Sequence, residues 1–163
     1  MSEKKQHWET VFTTKAENEV SWYQKQPQTS IELIQACKVA KEAKIIDIGG
    51  GDSYLIDSLL DLGYTNLFLL DISSAAIERA KKRLGDKAKY VTFIVSDSLH
   101  FQSDEKFDVW HDRASFHFFT EANDIEQYKN NVIANTNQNA HLIIGTFSEE
   151  GPLKCSGLPI TQY

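Results

Sequence analysis

A glycine-rich segment in the first half of the chain has the composition of a ligand-binding loop. Residues 47–53 read Asp-Ile-Gly-Gly-Gly-Asp-Ser. Because Gly49, Gly50 and Gly51 carry no side chains, the backbone can turn tightly there and come close to a ligand. A helix that begins directly after the segment would point unpaired N–H groups at a carboxylate or a phosphate. The segment is therefore the first candidate for a binding site.

Two further acids stand downstream, each directly after an apolar run. Asp71 and Ile72 follow the second run, roughly 20 residues beyond the glycines, which is the spacing of acids that accept hydrogen bonds from ribose hydroxyls. Asp97 and Ser98 follow the third run, where a carboxylate could accept a hydrogen bond from the exocyclic amine of adenine. Ligands of open α/β sheets bind beyond the carboxyl ends of the strands, so the loop and the two acids predict a nucleoside site.

Short apolar runs alternate with amphipathic stretches along the chain, and this alternation predicts strands alternating with helices. The predicted strands cover residues 44–48, 66–71, 91–95, 107–111 and 141–147. The predicted helices cover residues 30–40, 54–62, a segment capped by Ser73, and 125–134. Such βαβ units predict an α/β, Rossmann-like, doubly wound domain with a mostly parallel sheet flanked by helices.

The predicted core resembles the class I S-adenosylmethionine-dependent methyltransferases over roughly residues 30–147. The motif residues of that family match, in chain order, Asp47, Gly49, Gly51, Ser53, Asp71 and Asp97. The resemblance implies that S-adenosylmethionine is the cofactor and S-adenosylhomocysteine its product. It also implies that the first acid holds the loop near the methionine end, the second binds the ribose and the third binds the adenine. Trp22 is similar to aromatic residues that cover the cofactor in this family.

The segment after the fourth predicted strand extends the resemblance. Residues 112–115 read Asp-Arg-Ala-Ser and match in part the Asp-Lys-Gly-Thr of a branch that includes protein lysine methyltransferases, which implies a protein lysine or a small molecule as methyl acceptor. The fourth strand ends facing the methyl group in this fold. His111 is therefore a candidate cofactor contact, and the candidate catalytic residues are Asp112, Arg113 and His117. Asp112 would suit a cationic amine and Arg113 a carboxylate, and the sequence favours neither acceptor.

Two alternative functions stay open. A dinucleotide loop has the pattern Gly-x-Gly-x-x-Gly, but Tyr54 stands in the place of the third glycine, and this speaks against a nicotinamide-dependent oxidoreductase. The family fold has seven strands and the sequence predicts five, so we expect the last two to be missing. That expectation leaves a non-catalytic S-adenosylmethionine-binding module as the second alternative. It also predicts an exposed sheet edge through which the chain could form oligomers.

Length and charge narrow the class of protein. The 163 residues fit one domain, which we divide into an N-terminal helical cap (1–40), a cofactor-binding core (44–147) and a loop-like tail (148–163). The net charge of −6 argues against a nucleic acid partner, because binding phosphates requires a basic surface. The sequence shows no run of about 18 apolar residues, so we expect no membrane span.

The remaining sequence features concern compartment and metals. The N-terminus lacks the pattern of a secretory signal. Cys37 and Cys155 lack metal-binding spacing, and free thiols are typical of a reducing compartment. We therefore expect a cytoplasmic protein. We expect no metal, because methyl transfer depends mainly on aligning the nucleophile and excluding water.

Overall fold

In the computed structural model, residues 2–113 and 115–163 are described, and they form a parallel β-sheet between helices. The strands of the sheet are β1 Lys44–Ile48, β2 Asn66–Asp71, β3 Val91–Val95, β4 Phe107–Arg113 and β5 Thr136–Gly145. The α-helices are α1 Glu3–Thr14, α2 Gln28–Ala36, α3 Leu55–Asp61, α4 Ser74–Leu84 and α5 Ala122–Asn135. Short 3-10 helices cover Glu17–Glu19, Gly85–Tyr90 and Phe116–Phe118.

The strand order is β3-β2-β1-β4-β5, and every neighbouring pair is parallel. From β1 the chain adds β2 and then β3 on one side of the sheet. It then returns to the other side of β1 and adds β4 and β5. This reversal opens a crevice beyond the carboxyl ends of β1 and β4, where ligands of such sheets bind. The predicted doubly wound α/β fold is confirmed.

The central strands are nearly continuous apolar runs because helices cover both faces of the sheet. Ile45, Ile46 and Ile48 of β1 are completely buried. One face packs against α2, α3 and α4, and the other face packs against α5. Burying each such side chain contributes about 1.5–3 kcal/mol to the stability of the fold. The strand β1 is therefore a rigid support for the loop that follows it.

Local signals explain where two of the helices begin and end. The Ser73 hydroxyl accepts a hydrogen bond from the Ala76 amide at 3.2 Å, as predicted for an N-cap. The helix α2 ends at Ala36 rather than at residue 40, because Lys38 adopts a φ of +53°. A residue in the left-handed region ends a helix rather than continuing it.

The C-terminal third differs from its sequence-based description. The strand β5 begins at Thr136, five residues before the predicted start at residue 141. A register shift between β4 and β5 leaves only the part of β5 from His141 in regular pairing with β4. In place of a purely loop-like tail, residues 148–163 contain a small antiparallel hairpin, β6 Lys154–Cys155 with β7 Leu158–Pro159. This hairpin lies outside the main sheet, so β5 is an edge strand within the described residues.

The tail nevertheless packs onto the segment after β4. The Thr161 amide donates a hydrogen bond to the His117 carbonyl at 2.8 Å, and the Tyr163 ring lies 5.2 Å from the Phe116 ring.

Among the helices of the described residues, none has both the length and the apolar character needed to cross a bilayer.

Candidate functional site

The glycine loop lies at the end of β1, and its Gly49 forms part of the floor of a pocket. Gly49 and Gly51 have φ values of +61° and +55°, which side-chain-bearing residues rarely adopt. A Cβ atom on Gly49 would lie 2.7 Å from Ser115 Cβ, and one on Gly51 would lie 2.9 Å from Phe12 Cζ. Glycine is therefore required at both positions, by conformation and by the close approach of neighbouring elements.

Asp47 lies in β1, beneath the loop, and is buried. Its Oδ1 is 2.7 Å from His111 Nδ1, and His111 Nε2 is 2.9 Å from Ser30 Oγ. The Oδ2 atom is buried and has no hydrogen-bond partner among the described residues. The carboxylate is thus held by His111, and its other oxygen lies free of any described partner inside the core. His111, a candidate cofactor contact, has both ring nitrogens engaged below the loop.

Asp71 ends β2 beside the glycine loop. Its Oδ1 accepts a hydrogen bond from the Ser73 amide at 2.8 Å, and the Gly51 amide also donates to the carboxylate. Burial raises the pKa of Asp71 to about 7, although these two amides oppose the shift. A buried carboxylate with so few donors is poised to accept hydrogen bonds from a ligand.

The third strand end supplies Asp97 and Ser98. Asp97 Oδ1 accepts a hydrogen bond from the Leu99 amide at 3.0 Å, which fixes the turn after β3. Both residues line the same pocket as Gly49, Asp71 and Ile72. The loop and two strand ends that the sequence analysis singled out therefore meet around one cavity.

Helix α1 and the segment after it form the roof of this pocket. Trp8, Phe12 and Trp22 line it, with ring centroids 5.8–6.5 Å apart. The Glu9 carboxylate fastens α1 to the N-terminus of α4, where it accepts hydrogen bonds from the Ser74 amide at 2.7 Å and the Ala75 amide at 3.1 Å. An acid at this end of a helix also complements the helix dipole.

Asp112 lies near the end of β4, outside the pocket lining, and is completely buried. Its Oδ2 accepts a hydrogen bond from the Tyr128 hydroxyl at 2.6 Å, and its Oδ1 accepts from the Ser115 amide at 2.9 Å. Burial raises the pKa of Asp112 to about 6. Asp112, predicted to be catalytic, therefore holds the turn after β4 and does not line the pocket. Ala114, which belongs to the partly matching tetrapeptide, lies outside the described residues.

Replacing Tyr128 with Phe tests this positioning role. The Tyr128 hydroxyl also accepts a hydrogen bond from Trp110 Nε1 at 2.9 Å, so the substitution leaves a buried carboxylate and a buried N–H short of a partner. We expect the free energy of unfolding to fall by about 3 kcal/mol, as measured by urea denaturation. Tyr90→Phe is the control, because Tyr90 is exposed. Equal stabilities of the two variants would contradict this role.

Arg113, by contrast, lines the pocket. Its Nη2 donates a hydrogen bond to the Trp22 carbonyl at 3.0 Å, and its Nη1 donates to Gln24 Oε1. Burial lowers the pKa of Arg113 from its ordinary value, yet a guanidinium stays charged in proteins. The pocket therefore holds a fixed positive charge at the end of β4.

His117 is buried at 1% exposure and does not line the pocket. Its ring lies against Phe118 and Phe147, with centroids 4.4 and 5.1 Å away. Neither ring nitrogen has a hydrogen-bond partner among the described residues. Burial lowers the pKa of His117 to about 4. His117, predicted to be catalytic, is thus a neutral ring that packs beneath the tail and does not line the pocket.

This burial makes stability depend on pH. The unfolded chain binds a proton at His117 below about pH 6.5, whereas the folded chain binds it only near pH 4. The free energy of unfolding should therefore fall as the pH is lowered from 6.5 to 4. We expect His117→Phe to flatten this part of the curve of melting temperature against pH. The exposed His100→Gln should keep the wild-type slope, and an unchanged slope in His117→Phe would refute the assignment.

A family model described as a methyltransferase domain matches residues 40–158, well over half of the chain. The chain belongs to this methyltransferase family. The matched segment runs from just before β1 to the hairpin, so it contains the glycine loop, the three strand ends and Arg113. The helix α1 lies before the matched part.

Curated relatives of this methyltransferase domain share only part of their length with it. The eEF1A lysine and N-terminal methyltransferase of Mus musculus is 28% identical over 98 residues, which is 59% of this chain and 14% of that protein. The malonyl-acyl-carrier protein O-methyltransferase 1 of Ilyobacter polytropus is 32% identical over 77 residues, which is 47% of this chain and 28% of that protein. The chain thus covers less than a third of the length of either relative.

Solved structures share the fold of the domain. A S-adenosylmethionine-dependent methyltransferase from Clostridium acetobutylicum superposes with a TM-score of 0.65 at 16% identity, covering 74% of this chain and 49% of that chain. The glycopeptide N-methyltransferase MtfA, complexed with S-adenosylmethionine, gives a TM-score of 0.67 at 18% identity, covering 80% and 58%. At such identities the likeness establishes the architecture alone.

Several pocket residues of the methyltransferase domain escaped the sequence analysis. Trp8 and Phe118 line the pocket with rings 5.2 Å apart, and Cys155 of the hairpin lines it as well. The roof helix α1 carried one usable signal, since Ser2 caps its first turn. Among the described residues, no group of three His, Cys, Asp or Glu side chains could hold a metal ion.

Proposed function

We propose that this methyltransferase domain binds S-adenosylmethionine at the ends of β1, β2 and β3 and transfers its methyl group to a nitrogen, oxygen or sulfur nucleophile. The observation that carries the proposal is the buried Asp71 carboxylate, which lines the pocket beside the glycine loop. Within the described part of the chain it receives hydrogen bonds from the Ser73 and Gly51 amides only. Its remaining lone pairs are suited to the two hydroxyls of an unmodified ribose.

The other residues of the pocket fit the rest of this cofactor. Asp47 lies directly beneath Gly50, with its spare Oδ2 inside the core, and its charge would favour a cationic group held by the loop, such as an ammonium. Asp97 and Ser98 would contact the adenine, with Ile72 against its face. When bound, the cofactor supplies an electrophilic methyl group on a sulfonium. The domain itself has to orient the acceptor and exclude water.

The aromatic roof supports the exclusion of water. Trp8, Phe12 and Trp22 cover the pocket, and Trp22 was expected to cover the cofactor. A dry pocket strengthens the interaction of Asp71 with its ligand, because charges attract more strongly at low dielectric constant. The same roof would prevent water from competing with the methyl acceptor.

The names of the curated relatives suggest two kinds of methyl acceptor. The mouse protein is named for lysine and N-terminal methylation, and the bacterial one for O-methylation of malonyl-acyl-carrier protein. We propose a methyl acceptor of one of these two kinds, an amine or a carboxylate. The non-catalytic binding module is the second candidate, because the outer edge of β5 is unpaired within the described residues.

Titration calorimetry and thermal melting, each with S-adenosylhomocysteine and with NAD, test the proposal. We expect S-adenosylhomocysteine to bind and to raise the melting temperature, and NAD to do neither. Binding of NAD alone would refute the proposal in favour of an oxidoreductase. Binding of S-adenosylhomocysteine together with no methylation of either amine or carboxylate acceptors would favour the module.

A further inference from the structure

We propose that the methyl acceptor of this domain carries a carboxylate and that Arg113 binds it. The inference rests on the proposed function, because it concerns the part of the same pocket that the cofactor contacts leave free. Three features carry it: the charge of Arg113, which has no salt-bridge partner among the described residues, the positions of the acids in the pocket, and the lack there of a described carboxylate or histidine base other than the acids assigned to the cofactor.

Arg113 differs from the other two arginines of the chain in its partners. Arg79 pairs with Asp52 at 3.1 Å, and Arg83 pairs with Asp57 at 2.7 Å. The guanidinium of Arg113 donates only to neutral oxygens and forms no salt bridge within the described residues. A guanidinium has five N–H donors in a planar fork that matches a carboxylate. Arg113 therefore retains both charge and donors for an anion in the pocket.

The acids that line the pocket lie elsewhere. They are Asp71 and Asp97, at the ends of β2 and β3, where the ribose and adenine are proposed to bind. The other ionisable lining residues are Lys4, whose Nζ lies 3.6 Å from Asp124, and Cys155. A cationic amine entering beside Arg113 would meet a like charge, and Asp47, the acid whose charge acts on Arg113, is buried outside the pocket lining and paired with His111. This arrangement disfavours amine acceptors and favours anionic ones.

The chemistry of a carboxylate also matches the lack of a base. An amine that starts protonated needs a general base before it can attack, but His111 and Asp112 are buried and engaged, and His117 lies outside the pocket. A carboxylate is already ionised at neutral pH. One of its oxygen lone pairs forms the new C–O bond, and the electrons of the broken S–C bond remain on sulfur. The products are a methyl ester and a neutral thioether, and no proton has to move.

Binding to the protein saturated with S-adenosylhomocysteine tests the inference without catalysis. The carboxylate probes are acetate, hexanoate and phenylacetate. Phenylacetamide is the neutral control for phenylacetate, and phenethylamine is the cationic control. We expect at least one carboxylate to bind by calorimetry at pH 7.5, and the matched amide and amine to bind at least tenfold more weakly than phenylacetate. Arg113→Met should weaken carboxylate binding at least tenfold, while Arg113→Lys should weaken it less.

The affinity for S-adenosylhomocysteine separates the outcomes and reports folding of each variant. In Arg113→Met it should stay within threefold of wild type. A parallel loss of S-adenosylhomocysteine affinity would overturn the inference, since Arg113 would then serve the cofactor, either by pairing with its carboxylate or by holding Trp22 over it. Preferential binding of phenethylamine, or binding of none of the carboxylates, would overturn it as well. Failure of the wild type to bind S-adenosylhomocysteine would instead refute the proposed function.

Discussion

Gly49→Val should abolish binding of S-adenosylhomocysteine, with a loss of at least ~100-fold in affinity, in a chain that still folds. The new Cβ would lie 2.7 Å from Ser115 Cβ, on the floor of the pocket. Ser115 belongs to the turn after β4 and can be displaced, so the overlap would be relieved at the expense of the pocket. The positive φ of +61° adds about 1–2 kcal/mol of strain, which a folded domain tolerates.

Two glycines provide matched controls for this variant. Gly63 has a φ of +86°, and a Cβ added there would have no atom within 4 Å, so Gly63→Val imposes backbone strain without a clash and should keep wild-type affinity. Gly50→Ala should instead affect folding, because its Cβ would overlap Leu69 Cδ1 and Asp47 Oδ2 inside the core. We expect it to lower the free energy of unfolding by about 1–3 kcal/mol. Calorimetry and urea denaturation separate these effects. Normal binding by Gly49→Val would show that the loop does not touch the ligand.

The inner strands of the sheet could be predicted from sequence because they are buried on both faces. The bounds of β1 and β2 agree with the predicted residues, since apolar runs of that kind end where the chain leaves the core. The bounds of β3 agree as well, although this edge strand is only partly buried. The edge strand β5 was harder to place. Its Leu142 and Ile144 are 54% and 40% exposed, so its apolar composition is not matched by burial, and its irregular first half has no pattern that predicts pairing.

The meeting of the glycine loop and the acids after β2 and β3 at one pocket was predictable for a topological reason. Parallel strands end at the same edge of a sheet, so acids after successive strands meet whatever the details of packing. The side chains around β4 were not predictable in this way. Asp112 is held outside the pocket by Tyr128, and His111 by Asp47 and Ser30, through contacts between residues 16 to 81 positions apart. Only the packed structure separates them from Arg113, which lines the pocket.

Asp71→Ala should weaken binding of S-adenosylhomocysteine by about 1.5–3 kcal/mol, the contribution of a hydrogen bond to a charged group. Asp71→Asn should lose a similar amount, because an amide has one acceptor oxygen in place of two. The folded protein should tolerate both changes. In the absence of ligand the buried charge opposes folding, since the pKa of Asp71 is raised to about 7 by burial. An unchanged affinity by calorimetry would exclude the ribose role.

The raised pKa of Asp71 also fixes how affinity depends on pH. Ribose hydroxyls donate to the ionised carboxylate, so the ligand favours the deprotonated form and lowers this pKa on binding. Affinity should therefore rise about tenfold from pH 6 to pH 8, following the ionised fraction of a group with a pKa of about 7. The proton released would appear as a dependence of the binding enthalpy on the ionisation enthalpy of the buffer. Asp71→Asn should bind with little dependence on pH over this range. If that variant kept the wild-type slope, another group would be the one that releases the proton, and the buried carboxylate would already be ionised in the free protein.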